Sequence, residues 1–182
     1  MEQFNYIIMF PYQLDNVLDV DTFLALSDIF DPTGNMSSWK LTNSSRLGQP
    51  LSDSGEYTSW RSSEQERHIL SMNCASIINL KFSQYYSRTK GVRANFDLIR
   101  VYSNGQTHGQ TTLFHKDFDT NDYYTSILFL NKDWDTGWGG EFIVRDDEYK
   151  YHYFPLIPNS AIIIPSSWQH RGNPPNNLTD HM

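Results

Sequence analysis

Residues 124–165 read YTSILFLNKDWDTGWGGEFIVRDDEYKYHYFPLIPNSAIIIP, and this stretch decides the fold. Tyr124–Leu130, Glu141–Val144, Lys150–Phe154 and Ala161–Ile164 are short runs rich in β-branched and aromatic residues, the types that fit a pleated, half-buried surface. Gly139-Gly140 and Pro158-Asn159 separate them, where the chain needs conformations that bulkier residues resist. One more run, Phe96–Tyr102, lies upstream and is closed by Asn104-Gly105. Short runs at turn-marked intervals predict an antiparallel barrel or sandwich from Asn95 onward.

Working outward, the amino-terminal half has a different character. Tyr6–Phe10, closed by Pro11, reads as an opening strand. Val17, Leu18, Phe23, Leu24 and Leu26 recur at helical spacing and predict a helix over Asp15–Phe30, with Pro32 behind it. Thr33–Ser62 is polar and reads mostly as loop, with an edge strand at Trp39–Leu41. Ser63 and Glu66 have the spacing of a capping box. Ile69, Leu70, Met72, Ile77, Ile78 and Leu80 follow as an apolar stripe, predicting an amphipathic helix over residues 64–83. The expectation is one domain over residues 1–182, mainly β with flanking N-terminal helices (α+β). Residues 1–94 form the bracing part and 95–182 the β core.

Composition narrows the functional classes. The 182 residues carry 14 basic and 21 acidic side chains, a net charge of -7, which disfavours binding to a phosphate backbone. Cys74 is the single cysteine, so no intramolecular disulfide can form, and a reducing compartment suits the chain. No apolar stretch approaches the ~20 residues of a membrane span, and Met1–Asn5 lacks the basic region of a signal peptide. A cytoplasmic protein with no membrane or nucleic-acid partner is expected.

The chemistry centres on His115-Lys116-Asp117. On a strand, residues two apart project from one face, so imidazole and carboxylate could reach one metal ion. Alone the motif is short, and a solvated turn is the plain alternative. His170, 53 residues beyond Asp117 and just after Ala161–Pro165, could close a two-His, one-carboxylate facial triad of the kind that leaves positions open on Fe(II). His152, among aromatic residues, is the rival distal histidine, although a hydrogen-bonded strand residue accounts for it more simply. His108, in a Gly-flanked loop, would sit near the mouth as a substrate-side residue at best. His68 reads as a surface residue of the second helix, and nothing supports a role for His181.

Together, Arg100–Gln106, His115-Lys116-Asp117, Leu130-Asn131 with Gly139-Gly140-Glu141, and Pro165 through His170 resemble the 2-oxoglutarate and Fe(II)-dependent dioxygenases, in their prolyl 4-hydroxylase-like branch. The resemblance covers about residues 95–175. It implies a double-stranded β-helix, a cupin-like jelly roll, with His115, Asp117 and His170 as catalytic iron ligands. It also implies that Tyr102 contacts 2-oxoglutarate; a half-buried strand tyrosine is the alternative. Fe(II), 2-oxoglutarate and O2 are the implied cofactor and cosubstrates, with ascorbate as an accessory reductant. A small-molecule or peptide substrate is implied, and Asp117 favours hydroxylation over halogenation. Gly139-Gly140-Glu141 would be a structural turn, Trp134 and Trp138 core or lid packing, and Asp119 a solvated carboxylate.

One departure stands out. The family anchors the far carboxylate of 2-oxoglutarate with an Arg or Lys beyond the distal His, whereas position 180 is Asp180 and no basic residue follows Arg171. Arg171, adjacent to His170, should point away from the metal. The expectations are a chain that stops at Met182 short of its last strand, an anchor from Arg100 or Arg145, or a cosubstrate held mainly by Tyr102. Two other functions remain open: a β-barrel binding module with an aromatic mouth, and a cupin-like metalloenzyme that does not use 2-oxoglutarate.

Overall fold

The computed structural model describes residues 10–31, 40–43, 58–62, 69–110 and 112–176. Nine strands and two α-helices follow one another: β1 Tyr12–Leu14, α1 Val20–Phe30, β2 Lys40–Asn43, β3 Thr58–Ser62, α2 Ile69–Lys90, β4 Ser103–Gly105, β5 Tyr124–Leu128, β6 Phe142–Arg145, β7 Tyr151–Phe154, β8 Ala161–Pro165 and β9 Gln169–Gly172. They form three antiparallel three-stranded sheets with orders β1-β8-β5, β2-β3-β4 and β7-β6-β9.

The unbroken apolar run of β8 has a simple cause. Ala161 and Ile163 face a cluster built with Val17, Leu18, Phe23 and Leu26 of the α1 region and Cys74, Ile78 and Phe82 of α2. Ile162 and Ile164 face the opposite way, into a second cluster with Phe129, Phe142, Val144 and Leu156. Side chains alternate along a strand, so one buried by helices on one side and by a second sheet on the other is apolar at every position. β5 keeps the same parity. Tyr124 and Leu128 pack toward the helices, whereas Ile127 and Phe129 point between the sheets.

The helices are set by local chemistry. Asp19 caps α1, its carboxylate accepting from the Thr22 amide at 2.9 Å, and those bonds hold its carboxyl below the usual range. α2 buries Cys74, Ile78 and Phe82, spaced four apart, and burial raises the Cys74 thiol. Phe82, Phe96, Tyr86 and Tyr124 form one aromatic knot, with Phe82 and Phe96 at 4.8 Å and Phe82 and Tyr124 at 5.0 Å. Burial first, then the Tyr86 phenol, push the Tyr124 phenol up to about 12.

Several expectations need correction. α2 runs to Lys90 rather than ending at residue 83, because Tyr85 and Tyr86 continue its packed face; Gly91, at φ 67°, follows it in the left-handed conformation that suits a helix end. Met72 and Leu80 of the presumed stripe are exposed. Residues 96–102 form no strand: Phe96 is drawn into the aromatic knot and Arg100 to Asp117, and the pairing moves on to Ser103–Gly105 against β3. Asn104-Gly105 therefore lies within β4 and makes no turn. The polar stretch before α2 holds β3, which its composition concealed, and the edge strand there spans Lys40–Asn43. Among the described residues the first strand is Tyr12–Leu14. Residues 6–9, Trp39, the capping box and the chain beyond Asn176 lie outside the described residues.

Asn159 pins the helical part to the β core. Its Oδ1 accepts from the Leu18 amide at 3.0 Å, its Nδ2 donates to the Leu18 carbonyl at 2.8 Å, and its own carbonyl accepts from Val17 at 3.0 Å. Its φ of 58° is one that asparagine tolerates better than most residues. Replacing Asn159 by Ala orphans two buried backbone groups and strains the turn. The expected destabilisation is about 2–4 kcal/mol by urea titration, against less than ~0.5 kcal/mol for the exposed Tyr153→Ala.

Candidate metal centre

Two backbone hydrogen bonds, His115 N to His170 O at 3.1 Å and His170 N to His115 O at 2.9 Å, bring strand-like residues beside β9 and put the two imidazoles side by side at 4.4 Å. In β9, His170 lies opposite Val144 of β6, and both are buried. Asp117 follows the His115 bridge by two residues, where its amide donates to Ser166 O at 3.1 Å. One ligand atom from each of His115, Asp117 and His170 falls within 4.8 Å of the other two. The spacing argument therefore holds in three dimensions.

The tautomers suit a cation. Nδ1 of His115 faces the Leu113 carbonyl at 3.1 Å and Nδ1 of His170 the Trp168 carbonyl at 3.2 Å. A carbonyl can only accept, so each Nδ1 carries a proton, which makes Nε2 the nitrogen that a cation would meet, the arrangement typical of metal-binding histidines. His170 Nε2 lies 3.7 Å from Asp117 Oδ2. Two neutral nitrogens and one carboxylate oxygen converging from one side fit a divalent metal with a face left open, as in non-haem Fe(II) sites.

The carboxylate is itself held. Asp117 is 8% exposed, and Thr125 Oγ1 donates to its Oδ2 at 2.6 Å. With that proton committed, Thr125 Oγ1 accepts from Ser166 Oγ at 2.7 Å. Thr125 shares the parity of Ile127 and Phe129, and Ser166 that of Ile162 and Ile164, so both hydroxyls stand on the row facing between the sheets. Arg100 Nη2 reaches the other oxygen, Oδ1, at 3.2 Å. Thr125 and Ser166 escaped the sequence reading, and Arg100, expected there as an anchor for 2-oxoglutarate, is found on Asp117. Alternation along β5, which places a threonine hydroxyl in an otherwise apolar interior row, was the signal that could have found Thr125.

Other candidates fall elsewhere. His152 bonds through Nε2 to Asp146 Oδ2 at 2.8 Å, as a strand residue rather than a ligand. Burial opposes ionisation of Asp146, but the bonds from His152 and from the Lys150 and Glu148 amides bring its carboxyl below the usual range. His108 is not beside the triad: it faces Pro175 O at 3.3 Å across a groove of ≈ 760 Å³ that also meets Glu141 and Asn173, beyond the end of β9 opposite His170. Arg145 and Arg171 alternate with Val144 and His170, so both lie on the face of the sheet away from the triad; Arg145 bonds Gln169, and Arg171 lies over the Phe114 ring at 4.9 Å. Tyr102 is half-buried, its ring under the Arg100 guanidinium at 5.2 Å. Trp134 packs in the second cluster and donates to Gly139 O at 2.9 Å. A Cβ on Gly140 would stand 2.9 Å from that indole, which explains the double glycine. Asp119 is exposed, as a solvated carboxylate should be. His68 and His181 lie outside the described residues.

With fold and site in hand, comparison with solved structures defines the class of fold: that of the 2-oxoglutarate and Fe(II)-dependent oxygenases, a double-stranded β-helix. A prolyl-4-hydroxylase from Pseudomonas putida superposes with a TM-score of 0.63 at 13% identity, over 91% of this chain and 86% of that one. A prolyl hydroxylase from Trichoplax adhaerens, in complex with a hypoxia inducible factor peptide fragment, gives 0.62 at 14% identity over 90% and 77%. A 2OG-Fe(II) oxygenase family oxidoreductase from Burkholderia pseudomallei gives 0.58 at 17% identity over 90% and 78%. No family model and no curated protein matches the sequence.

If Thr125 orients the Asp117 carboxylate, Thr125→Val weakens binding of Mn(II), titrated by electron paramagnetic resonance, by roughly 10–100-fold. Thr125→Ser, which keeps the hydroxyl, restores most of that affinity, and circular dichroism shows both variants folded.

Proposed function

We propose that the chain is an Fe(II)- and 2-oxoglutarate-dependent dioxygenase that hydroxylates a peptide or small-molecule substrate. One observation carries the reading: His115, Asp117 and His170 bring ligand atoms within 4.8 Å of one another in this fold, with both Nδ1 atoms on backbone carbonyls. The ferrous centre supplies O2-dependent decarboxylation of 2-oxoglutarate to succinate and carbon dioxide, with one oxygen atom placed in a substrate C–H bond and ascorbate as accessory reductant.

The residues contribute geometry and charge. His115 and His170 bind as neutral donors, and Asp117 offsets part of the cation's charge. Thr125 and Ser166 keep that carboxylate in one orientation. Tyr102 is assigned to the 2-oxoglutarate side, its phenol donating to a carboxylate oxygen. Arg145 is set aside as an anchor because on β6 it lies on the face of the sheet away from the triad. Ile162, Ile164, Phe129 and Val144 keep the space behind the triad dry, which strengthens every polar contact in front of it. The Trichoplax protein's peptide complex favours a peptidyl substrate. Among the described residues no helix is long and apolar enough to cross a membrane, and the buried Cys74 fits a reducing cytoplasm.

The test is anaerobic and needs no substrate. Fe(II) followed by 2-oxoglutarate should produce the visible charge-transfer band of a chelated keto acid, and His115→Ala should abolish it. Bound iron without a band supports a metalloenzyme that does not use 2-oxoglutarate. No bound iron leaves a binding module and overturns the proposal.

A further inference from the structure

We propose that the outer face of the β7-β6-β9 sheet is a docking surface for single-stranded nucleic acid. It is the face turned away from the metal centre, so the proposal goes beyond the hydroxylase reading and does not depend on it. Its outward positions are Ile143 and Arg145 on β6, Tyr151 and Tyr153 on β7, and Gln169 and Arg171 on β9. Arginines hold two of these positions and carboxylates none, in a protein with 21 acidic and 14 basic side chains.

Neither arginine meets a carboxylate among the described residues. Arg145 bonds the neutral Gln169 amide and lies over the Tyr149 ring at 5.5 Å. Arg171 lies over Phe114 at 4.9 Å, and its Nε is buried with no hydrogen-bond partner among those residues. A ring beneath a guanidinium fixes its plane and leaves its charge in place. Arg145 pairs with Gln169 and Arg171 with Ile143, so the two arginines are diagonal neighbours on adjacent strands. Such neighbours stand roughly 7–8 Å apart between Cα atoms, a step that successive phosphates of an unstacked strand can match.

The rings supply the other half of the chemistry. Tyr153 is 65% exposed and Tyr151 48%, with centroids 6.5 Å apart and planes 29° from parallel. That separation is close to twice the ~3.4 Å repeat of stacked bases, so a base entering between the two meets a ring on each side. Phe114 continues the row, edge-on to Tyr151 at 5.8 Å, and so brings the ring under Arg171 to the tyrosines. Ile143, between Tyr153 and Arg171 in register, is buried and floors the patch. An acidic peptide would use the arginines and leave the tyrosines in water, whereas bases on a phosphate backbone use both, and only a single strand offers its base faces. Three strands assemble the patch, so no run of Lys or Arg announces it. The net charge of -7 acts at a distance, but the local field decides what docks.

Fluorescence anisotropy of a labelled oligothymidylate of ~12 nucleotides tests the proposal, with EDTA present so that no divalent cation bridges the strand to the triad. At about 50 mM salt the parent should bind it with a Kd on the order of 10–100 μM. Two phosphate contacts set the slope of log affinity against log salt at about -1.4. Arg145→Gln and Arg171→Gln should each weaken binding about fivefold and flatten that slope by about half. Tyr153→Ala should weaken it at least about fivefold and leave the slope in place. A duplex of the same length should compete at least about fivefold less well. No saturable binding by the parent overturns the proposal. Equal binding of an abasic strand leaves the tyrosines unused and overturns it, as does equal binding of an oligoglutamate, which would make the face a site for acidic peptides. Unchanged affinity in Tyr153→Ala and Arg145→Gln, with circular dichroism showing both folded, puts the strand elsewhere on the molecule and overturns it too. Every readout is made without metal or 2-oxoglutarate, so its outcome is separate from that of the hydroxylase test.

Discussion

The antiparallel bridge between His115 and His170 is the constraint on which the site depends. Two backbone hydrogen bonds fix the pair, so the relative position of the imidazoles does not rest on side-chain packing alone. The same bridge adds residue 115 to the β7-β6-β9 sheet beside β9, which sets the side of the sheet each ring occupies. One register step would send both rings to the outer face, where Arg145 and Arg171 now sit.

Asp117 answers to the other sheet. Thr125 belongs to β5 and Ser166 follows β8, so the carboxylate is positioned by the β1-β8-β5 sheet while the histidines are positioned by the facing one. The gap that a metal would fill is thus the gap between two sheets, and the packing of Ile162, Ile164, Phe129 and Phe142 sets its width. Close-packed interiors yield little. Core and metal centre are in this sense one mechanical object.

Much of this was legible in the residues. Ala161–Ile164 declared a buried strand, and His115, Asp117 and His170 declared their chemistry by type and spacing. What stayed hidden depended on partners distant in sequence. Thr125 and Ser166 are ordinary residues until alternation turns them inward. Arg100 looked like a strand residue because nothing local shows that Asp117 would draw it away. β3 was concealed because its pairing with β2 and β4 is decided by backbone contacts between polar segments, which leave no hydrophobic signature. Phe96 began an apparent strand, yet aromatic packing on α2 won over its β propensity.

The pin at Asn159 bears on the order in which the chain can be made. Leu18 finds its backbone partner in a residue 141 positions later, Val17 bonds that same residue, and β1 pairs with β8 across a similar span. A ribosome delivers the amino-terminal helix long before those partners exist. α1 can pack on α2 once that helix has emerged, but the backbone groups of Val17 and Leu18 must wait for Asn159. Closing so long a loop comes late and slowly, which makes the segment just before α1 among the last to be fixed.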